Sequence, residues 1–318
     1  MISIIIPTYN RSDDLKQALT SILRQGCTDY EVLVVDNGPS TDGTREAVAS
    51  LGDARLRYLA TKMKGQLLAC NTGAAAARGD ILLMLDDDVE LISGTELAEL
   101  AETFRLDENI AIAGGMELRS RDEVVGKSVQ LPPGTGRISA RGDFNTAFKL
   151  IEGHGITEVD HVRTAFMGVR GEVFRRVGGF DGAVYDLKSW CFRYESDLCL
   201  RVKQAGHKVV VNPAIKVWHK AAARPGGPER GRGARYFFYA NRNHVFFMNR
   251  FFWRGNPASL LRDIAWGSFR TPGIGLCLLR AWQQKKASFL SYAFISAAGK
   301  IEGYRRYLIE PEQSSNSR

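Results

Sequence analysis

A chain of 318 residues, 44% hydrophobic and 25% charged, is long enough to bury one large core or about two ordinary ones, and its composition excludes wholesale disorder. Its net charge of +8 is lopsided: residues 1–218 hold 26 Lys+Arg against 30 Asp+Glu, and residues 219–318 hold 17 against 5. A basic C-terminal third meets nucleic acid, anionic lipid or a phosphate-bearing substrate, and charge alone does not choose among them.

Residues 2–6 form a β-branched run stopped by Pro7, and residues 31–35 a second run stopped by Asp36, Asn37 and Gly38. Both read as buried strands. Between them Ser12 or Asp13 is placed to cap a helix in which Leu15, Ala18, Leu19 and Ile22 recur at helical spacing. Residues 41–51 suggest a helix, 56–59 a short strand, 66–77 a helix, and 81–85 a strand running into three aspartates. Strands alternating with helices predict a mostly parallel sheet covered on both faces, with ligands beyond the carboxyl ends of its strands. Thr8, Tyr9, Asp36 and Asp86 to Asp88 fall at those ends.

Further along, residues 97–104 read as a helix and 110–115 as a strand. Residues 120–160 are rich in Gly, Pro and polar side chains, with Pro132, Pro133, Gly134 and Gly136 breaking any regular pattern, and read as a substrate-facing insertion. Regular structure resumes near Thr164, with helices over 172–177 and 196–205 and a strand over 208–211. Residues 221–233 are dense in Gly, Pro and Arg and read as a loop, residues 236–282 interleave aromatic and basic side chains, and 310–318 is a polar tail.

Three constellations carry chemistry. ILLML followed by Asp86, Asp87 and Asp88 sets three mutually repelling carboxylates at a strand end, which makes sense where a divalent cation bridges them to phosphate oxygens; an acidic turn is the plainer alternative. Asp36 is placed to accept hydrogen bonds from a base or ribose, or simply to start a turn. Glu195 and Asp197 open a helix, where carboxylates cap exposed amides, yet a partly desolvated carboxylate there also serves as a general base.

PTYNR at 7–11, VVDNGPSTDGT at 34–44, LDDD at 85–88, VGGFD at 177–181, ESDLCLRVKQAG at 195–206 and VWH at 217–219 together resemble the family 2 inverting glycosyltransferases over roughly residues 1–250. The resemblance implies a GT-A fold: an α/β, Rossmann-like mixed sheet flanked by helices, here followed by C-terminal amphipathic helices. It implies a catalytic domain over 1–220, with a nucleotide-binding half over about 1–115 and an acceptor-side half over about 116–220. A loop at 221–235 and a basic, aromatic helical region at 236–318 follow. Pro7, Thr8, Tyr9 and Arg11 match the first nucleotide-binding loop, Asp36 the base-recognising carboxylate, and Asn71 a donor-site Asn, with Cys70 standing where relatives carry Arg. Asp86 and Asp88 match the Asp-Xaa-Asp motif, with Asp87 beside the donor; Asp88, Asp86 and His219 are the implied ligands of Mn²⁺ or Mg²⁺. The segment Tyr194-Glu195-Ser196-Asp197 departs from the family's Glu-Asp pattern and sets Glu195 where the catalytic Asp usually lies, with Asp197 as second catalytic candidate. Tyr185 and Trp190 are candidates for stacking on an acceptor sugar, and Arg242 and Asn243 match an RN pair found after the core in relatives.

The expected reaction is transfer of a sugar from a nucleotide-diphosphate sugar to a saccharide or lipid-linked acceptor, in the assembly of cell-surface polysaccharide or glycolipid. Another nucleotide-sugar enzyme, such as a nucleotidyltransferase, or an inactive GT-A-like scaffold is the alternative. A dehydrogenase is disfavoured because PTYNR replaces the glycine loop after the first strand, and a nucleic-acid partner because it leaves the acidic strand ends unexplained. The five cysteines, Cys27, Cys70, Cys191, Cys199 and Cys277, are odd in number and dispersed, indicating neither a disulfide framework nor a zinc site. The N-terminus lacks a secretion pattern, so a cytoplasmic location is expected. Residues 287–299 are too short to span a bilayer, but with Lys285, Lys286 and Lys300 at headgroups they would lie on its inner face.

Overall fold

The computed structural model describes residues 1–62, 64–123, 134–144, 153–185, 192–221 and 233–309. Trp190, Cys191, the Pro132–Pro133 break, most of the 221–233 loop and the 310–318 tail lie outside the described residues. The chain divides into two compact units. The first comprises residues 1–137, 144–182 and 195–227; the second comprises 138–143, 183–194 and 228–318.

The first unit is built on one sheet. Its elements in chain order are β1 (Ile2–Thr8), α1 (Ser12–Leu23), β2 (Tyr30–Asp36), α2 (Thr44–Ala49), β3 (Leu56–Ala60), α3 (Gln66–Ala76), β4 (Ile81–Leu85), β5 (Val89–Leu91), α4 (Glu96–Leu106), β6 (Ile110–Leu118), β7 (Thr157–Glu158), β8 (Phe166–Arg170), α5 (Gly171–Arg176), α6 (Tyr194–Gln204) and β9 (Lys208–His219). The strand order is β3-β2-β1-β4-β8-β6-β9-β5, with β7 also paired to β9. β1 is parallel to β2 and β4, β2 to β3, and β6 to β9. β8 runs antiparallel between β4 and β6, so the sheet is mixed. The β-branched runs of β1 and β2 are buried almost throughout, as strands covered on both faces require.

Ser12 is the first helical residue of α1 rather than its cap; Arg11 holds the N-cap position without a capping side chain, because its guanidinium turns inward to the aspartates described below. α3 packs so tightly on the sheet that a Cβ on Gly73 would come within 2.4 Å of Ile5 Cγ2. The strand expected at 208–211 continues to His219, and Pro213 is tolerated inside it because the β6–β9 register shifts between Gly114 and Met116.

The second unit is helical: α7 (Ala234–Met248), a π-turn at Asn249–Trp253, α8 (Pro257–Ala265), α9 (Ile274–Gln284) and α10 (Ser288–Ile309). α7 and α10 approach closely where Gly299 and Gly303 face the carbonyls of Phe238 and Arg242. Among the described residues no helix is long and apolar enough to cross a membrane.

Candidate functional site

Sheet register assembles the acidic strand ends. β1 and β4 lie side by side in parallel, so the chain leaving β4 passes the end of β1, where Thr8 Oγ1 donates to Asp87 Oδ2 at 2.9 Å. Arg11 Nη1 meets Asp87 Oδ1 at 2.7 Å, while its Nη2 reaches Asp88 Oδ2 at 3.2 Å and Asp14 Oδ2 at 3.0 Å. Asp87 is thereby committed to the interior, and its two neighbours are left to converge elsewhere.

Their meeting point is set by β9. Val89 of β5 pairs with His219, and the amide of Lys220 donates to the carbonyl of Asp88. His219 Nε2 consequently lies 3.4 Å from Asp88 Oδ1 and 3.9 Å from Asp86 Oδ2. Ligand atoms of Asp86, Asp88 and His219 all fall within 4.8 Å of one another. On the far side of the ring, Nδ1 is 2.9 Å from Glu117 Oε2, and Arg163 pairs with that same oxygen. Glu117 fixes the ring with Nε2 toward the aspartates, the arrangement usual for a metal-bound imidazole. Nε2 itself is buried and, at 3.4 Å from Asp88 Oδ1, has no hydrogen-bond partner of good geometry.

The charges respond accordingly. Burial would lower the pKa of His219, but Asp88, Glu117 and Asp86 outweigh it and raise it to about 9. Burial opposes ionisation of Asp88 as well, yet His219 and Arg11 hold its carboxyl below the usual range. Asp86 moves the other way: burial, reinforced by Asp88, raises it despite His219. A proton on Nε2 would stand where a cation would, and a divalent cation bound there would compete with it.

Glu195 opens α6. Its Oε1 accepts hydrogen bonds from the Thr164 amide at 3.0 Å and the Thr164 hydroxyl at 3.2 Å. The next residue is pinned by Ser196 Oγ to His161 Nδ1 at 3.0 Å. Burial raises the Glu195 pKa to about 7, opposed by Arg163 and the Thr164 amide and reinforced by Asp86 and Glu117. The residue as a whole is half-buried. Asp197 differs: it is fully buried and bound by Arg201 Nε at 2.7 Å. Arg201 in turn donates to the carbonyls of Val177 and Gly179, tying α6 to the Gly178–Gly179 turn.

Asn71 clamps the same turn, its Nδ2 donating to Phe180 O at 2.8 Å and its Oδ1 accepting from Phe180 N at 3.1 Å. Asp36 is buried, with Oδ1 accepting from Ser40 Oγ at 2.7 Å and Oδ2 from Ser40 N at 3.1 Å and Tyr58 OH at 2.5 Å. It shapes the 37–41 loop, which Asn10 joins through Thr41 N and Ser40 Oγ. Pro7 and Tyr9 flank Thr8, and the Lys64 ammonium sits 3.9 Å from the Tyr9 ring centre. Cys70 is buried.

Two expected acceptor contacts fare differently from these residues. Tyr185, in the second unit, is fully buried with its ring edge-on to Phe246 at 6.3 Å, so it presents no face to a sugar; Trp190 lies outside the described residues. Arg242 donates to Val184 O and to Asn243 Oδ1, bracing the 183–185 segment from within that unit. No sequence pattern assigns a role at the site to Thr164, Glu117, Arg163 or Arg201.

A glycosyl transferase family 2 model matches residues 3–171, more than half of the chain. The chain belongs to this family. An uncharacterised protein of Sinorhizobium fredii is 28% identical over 243 residues, covering 71% of this chain and 25% of that protein. A UDP-glucose:α-D-GlcNAc-diphosphoundecaprenol β-1,3-glucosyltransferase of Escherichia coli is 32% identical over 131 residues, covering 41% of this chain and 51% of that enzyme. The chain thus spans about half or less of the length of these relatives. Among solved structures, a mannosyltransferase of Pyrobaculum calidifontis in complex with GDP-mannose and Mn²⁺ superposes with a TM-score of 0.55 at 18% identity, over 98% of this chain and 88% of that one. The family 2 chain has the GT-A fold.

Proposed function

We propose that this family 2 chain transfers a sugar from a nucleotide-diphosphate sugar to an acceptor hydroxyl with inversion at the anomeric carbon. The observation that carries this reading is the presence of a three-ligand cation cluster together with Glu195, a carboxyl whose pKa burial raises to about 7. Asp86, Asp88 and His219 fit a divalent cation: they offer two carboxylate oxygens and an imidazole nitrogen left without a hydrogen bond. The nitrogen donor suits Mn²⁺ better than Mg²⁺, which prefers oxygen. Bound there, the cation would offset the charge of the departing nucleotide diphosphate.

The remaining work falls to the protein. Thr164 holds Oε1 of Glu195 with two hydrogen bonds and so fixes the carboxylate plane, leaving Oε2 to take the acceptor proton. The acceptor oxygen bonds to the anomeric carbon as the bond to the diphosphate oxygen breaks, and the proton passes to Glu195. Asp197 acts as a positioning residue through Arg201, and Asn71 does the same through Phe180. Thr8, Arg11 and Asp87 brace the cluster, while the Pro7–Tyr9 and Asp36–Ser40 segments face the nucleotide. By analogy with the E. coli relative, the acceptor is a lipid-linked saccharide at the cytoplasmic face of a membrane, in surface polysaccharide or glycolipid assembly.

A panel of nucleotide sugars, each incubated with and without Mn²⁺, tests the reading. Metal-dependent release of nucleotide from one donor, and a product of inverted anomeric configuration by NMR, are expected. Retained configuration would remove the single displacement, and no turnover of any donor would remove the transferase.

A further inference from the structure

Two helices of the second unit, α9 and α10, bury small or polar residues and expose large apolar ones. On α10 the buried positions are Ala293, Ser296, Gly299, Lys300 and Gly303, small or polar residues, whereas Leu290, Phe294, Ile301 and Leu308 are exposed. Spacings of four and seven place those four on one stripe opposite the buried side. α9 repeats the pattern: Cys277 is buried, while Ile274, Leu278 and Trp282 stand outward one turn apart. Between α8 and α9 a turn closed by the Gly267–Pro272 bridge carries Phe269 at its tip, 80% exposed, with the Arg280 guanidinium 4.8 Å from its ring centre. Trp282 and Phe294 are 78% and 79% exposed. A helix exposing its large apolar side chains and burying its small ones is suited to an apolar surround, not to water.

Charge identifies that surround. Residues 233–309 contain twelve Lys+Arg and two acids, Asp263 and Glu302. Both acids are occupied within the unit, Asp263 by Lys300 and Glu302 by Arg305 and Arg306. Arg262, Arg270, Lys285 and Lys286 are exposed among the apolar side chains. A second copy of so basic a face would be repelled, whereas an anionic bilayer satisfies both the apolar stripe and the basic residues around it. Lys300, expected from sequence at the headgroups, is instead fully buried, with its ammonium on Asp263 O and Oδ2 at 2.7 Å and Thr271 O at 3.0 Å.

We infer that α9, the outer stripe of α10 and the Phe269 turn form a surface that lies in the interface of an anionic lipid bilayer. Trp282, Phe294 and Phe269 enter the acyl boundary, and Arg270, Lys285 and Lys286 meet the headgroups. The inference needs no catalytic activity, so its failure leaves the proposed reaction standing.

Flotation of the full chain with phosphatidylcholine vesicles, with and without about 30% phosphatidylglycerol, provides the test. The chain is expected to float with the anionic vesicles, less so at high salt, and poorly with neutral ones. Trp282→Glu combined with Phe294→Glu, at positions exposed enough to leave folding intact, should weaken binding about tenfold or more, and Lys285→Glu with Lys286→Glu should also weaken it and flatten the salt dependence. Equal flotation with neutral vesicles, undiminished flotation of the Trp282/Phe294 variant, or self-association through these residues without flotation would each overturn the inference.

Discussion

The two units both bury clusters of charge, and the contrast between them separates a site from a structural support. In the second unit Lys300 spends all three ammonium donors, two on Asp263 and one on Thr271, so that this pair is closed, although His244 Nε2, 3.9 Å from Asp263 Oδ1, makes no hydrogen bond. In the first unit Asp86, Asp88 and His219 converge without completing one another: Nε2 has no hydrogen bond, and the Asp86 side chain remains 20% exposed. Saturated burial of charge serves packing at a desolvation cost, whereas unsaturated convergence of like charges is tolerated only where something else completes it. Asp87, which lies between Asp86 and Asp88 in the chain yet is held by Thr8 and Arg11, shows the same division between adjacent residues.

The largest effect is expected where the chemistry is removed and the charge network stays folded. Asp88→Asn and, separately, Glu195→Gln are each expected to lower transfer about a thousandfold, with circular dichroism unchanged. Near-normal turnover in a folded Glu195→Gln protein would take Glu195 out of the mechanism.

Next in size is a pair of stability measurements. Arg11→Met leaves buried carboxylates uncompensated and should cost about 3–5 kcal/mol, and Lys300→Met should cost a similar amount by stranding Asp263. The two should differ in their response to Mn²⁺, which restores part of the melting temperature lost in Arg11→Met and none of that lost in Lys300→Met. Equal rescue would erase the distinction drawn between the units.

Glu195 also predicts an exchange of stability for function. Its folded pKa of about 7 lies above the ordinary carboxyl value of 4.5, so the native state binds more protons than the unfolded state between those values, and stability falls as pH rises through that window. Glu195→Gln removes the buried charge, and at pH 8 it should match or exceed the wild type by about 1–3 kcal/mol in urea unfolding. The wild-type rate should rise along an acid limb with an apparent pKa at or below 7, since a bound cation favours the carboxylate. A variant less stable than wild type at pH 8 would show that Glu195 holds the fold.

A smaller effect is expected at Glu117. Glu117→Gln loosens the His219 ring and should weaken Mn²⁺ binding about tenfold by calorimetry. Because the neighbouring carboxylates raise the His219 pKa to about 9, Mn²⁺ affinity of the wild type should rise with pH toward that value. Unchanged affinity in the variant would confine Glu117 to packing.

Much of the first unit was legible because β-branched runs ending in Asp, Asn or Pro mark strands buried on both faces, and such strands end at ligands. Asp86, Asp88, Glu195 and His219 could be picked out, but not their geometry. His219 reaches Asp88 only through the antiparallel pairing of β5 with β9, and β5 is three residues long and carries no periodic signal. Thr164 and Glu117 were invisible for a related reason: their partners lie 31 and 102 residues away. The second unit was less legible still. Its spacing announces amphipathic helices but not which face turns inward, so Lys300 reads as a surface cation when Gly299 and Gly303 in fact bring its helix face against α7.

The central claim is that Asp86, Asp88 and His219 become a donor site when a divalent cation completes them. Calorimetric titration of the full chain with the nucleotide sugar identified by turnover, with Mn²⁺ and then with EDTA, tests it most directly. Binding that requires Mn²⁺, and that is lost in both Asp88→Asn and His219→Ala, is the predicted result; equal donor affinity in EDTA would contradict the account.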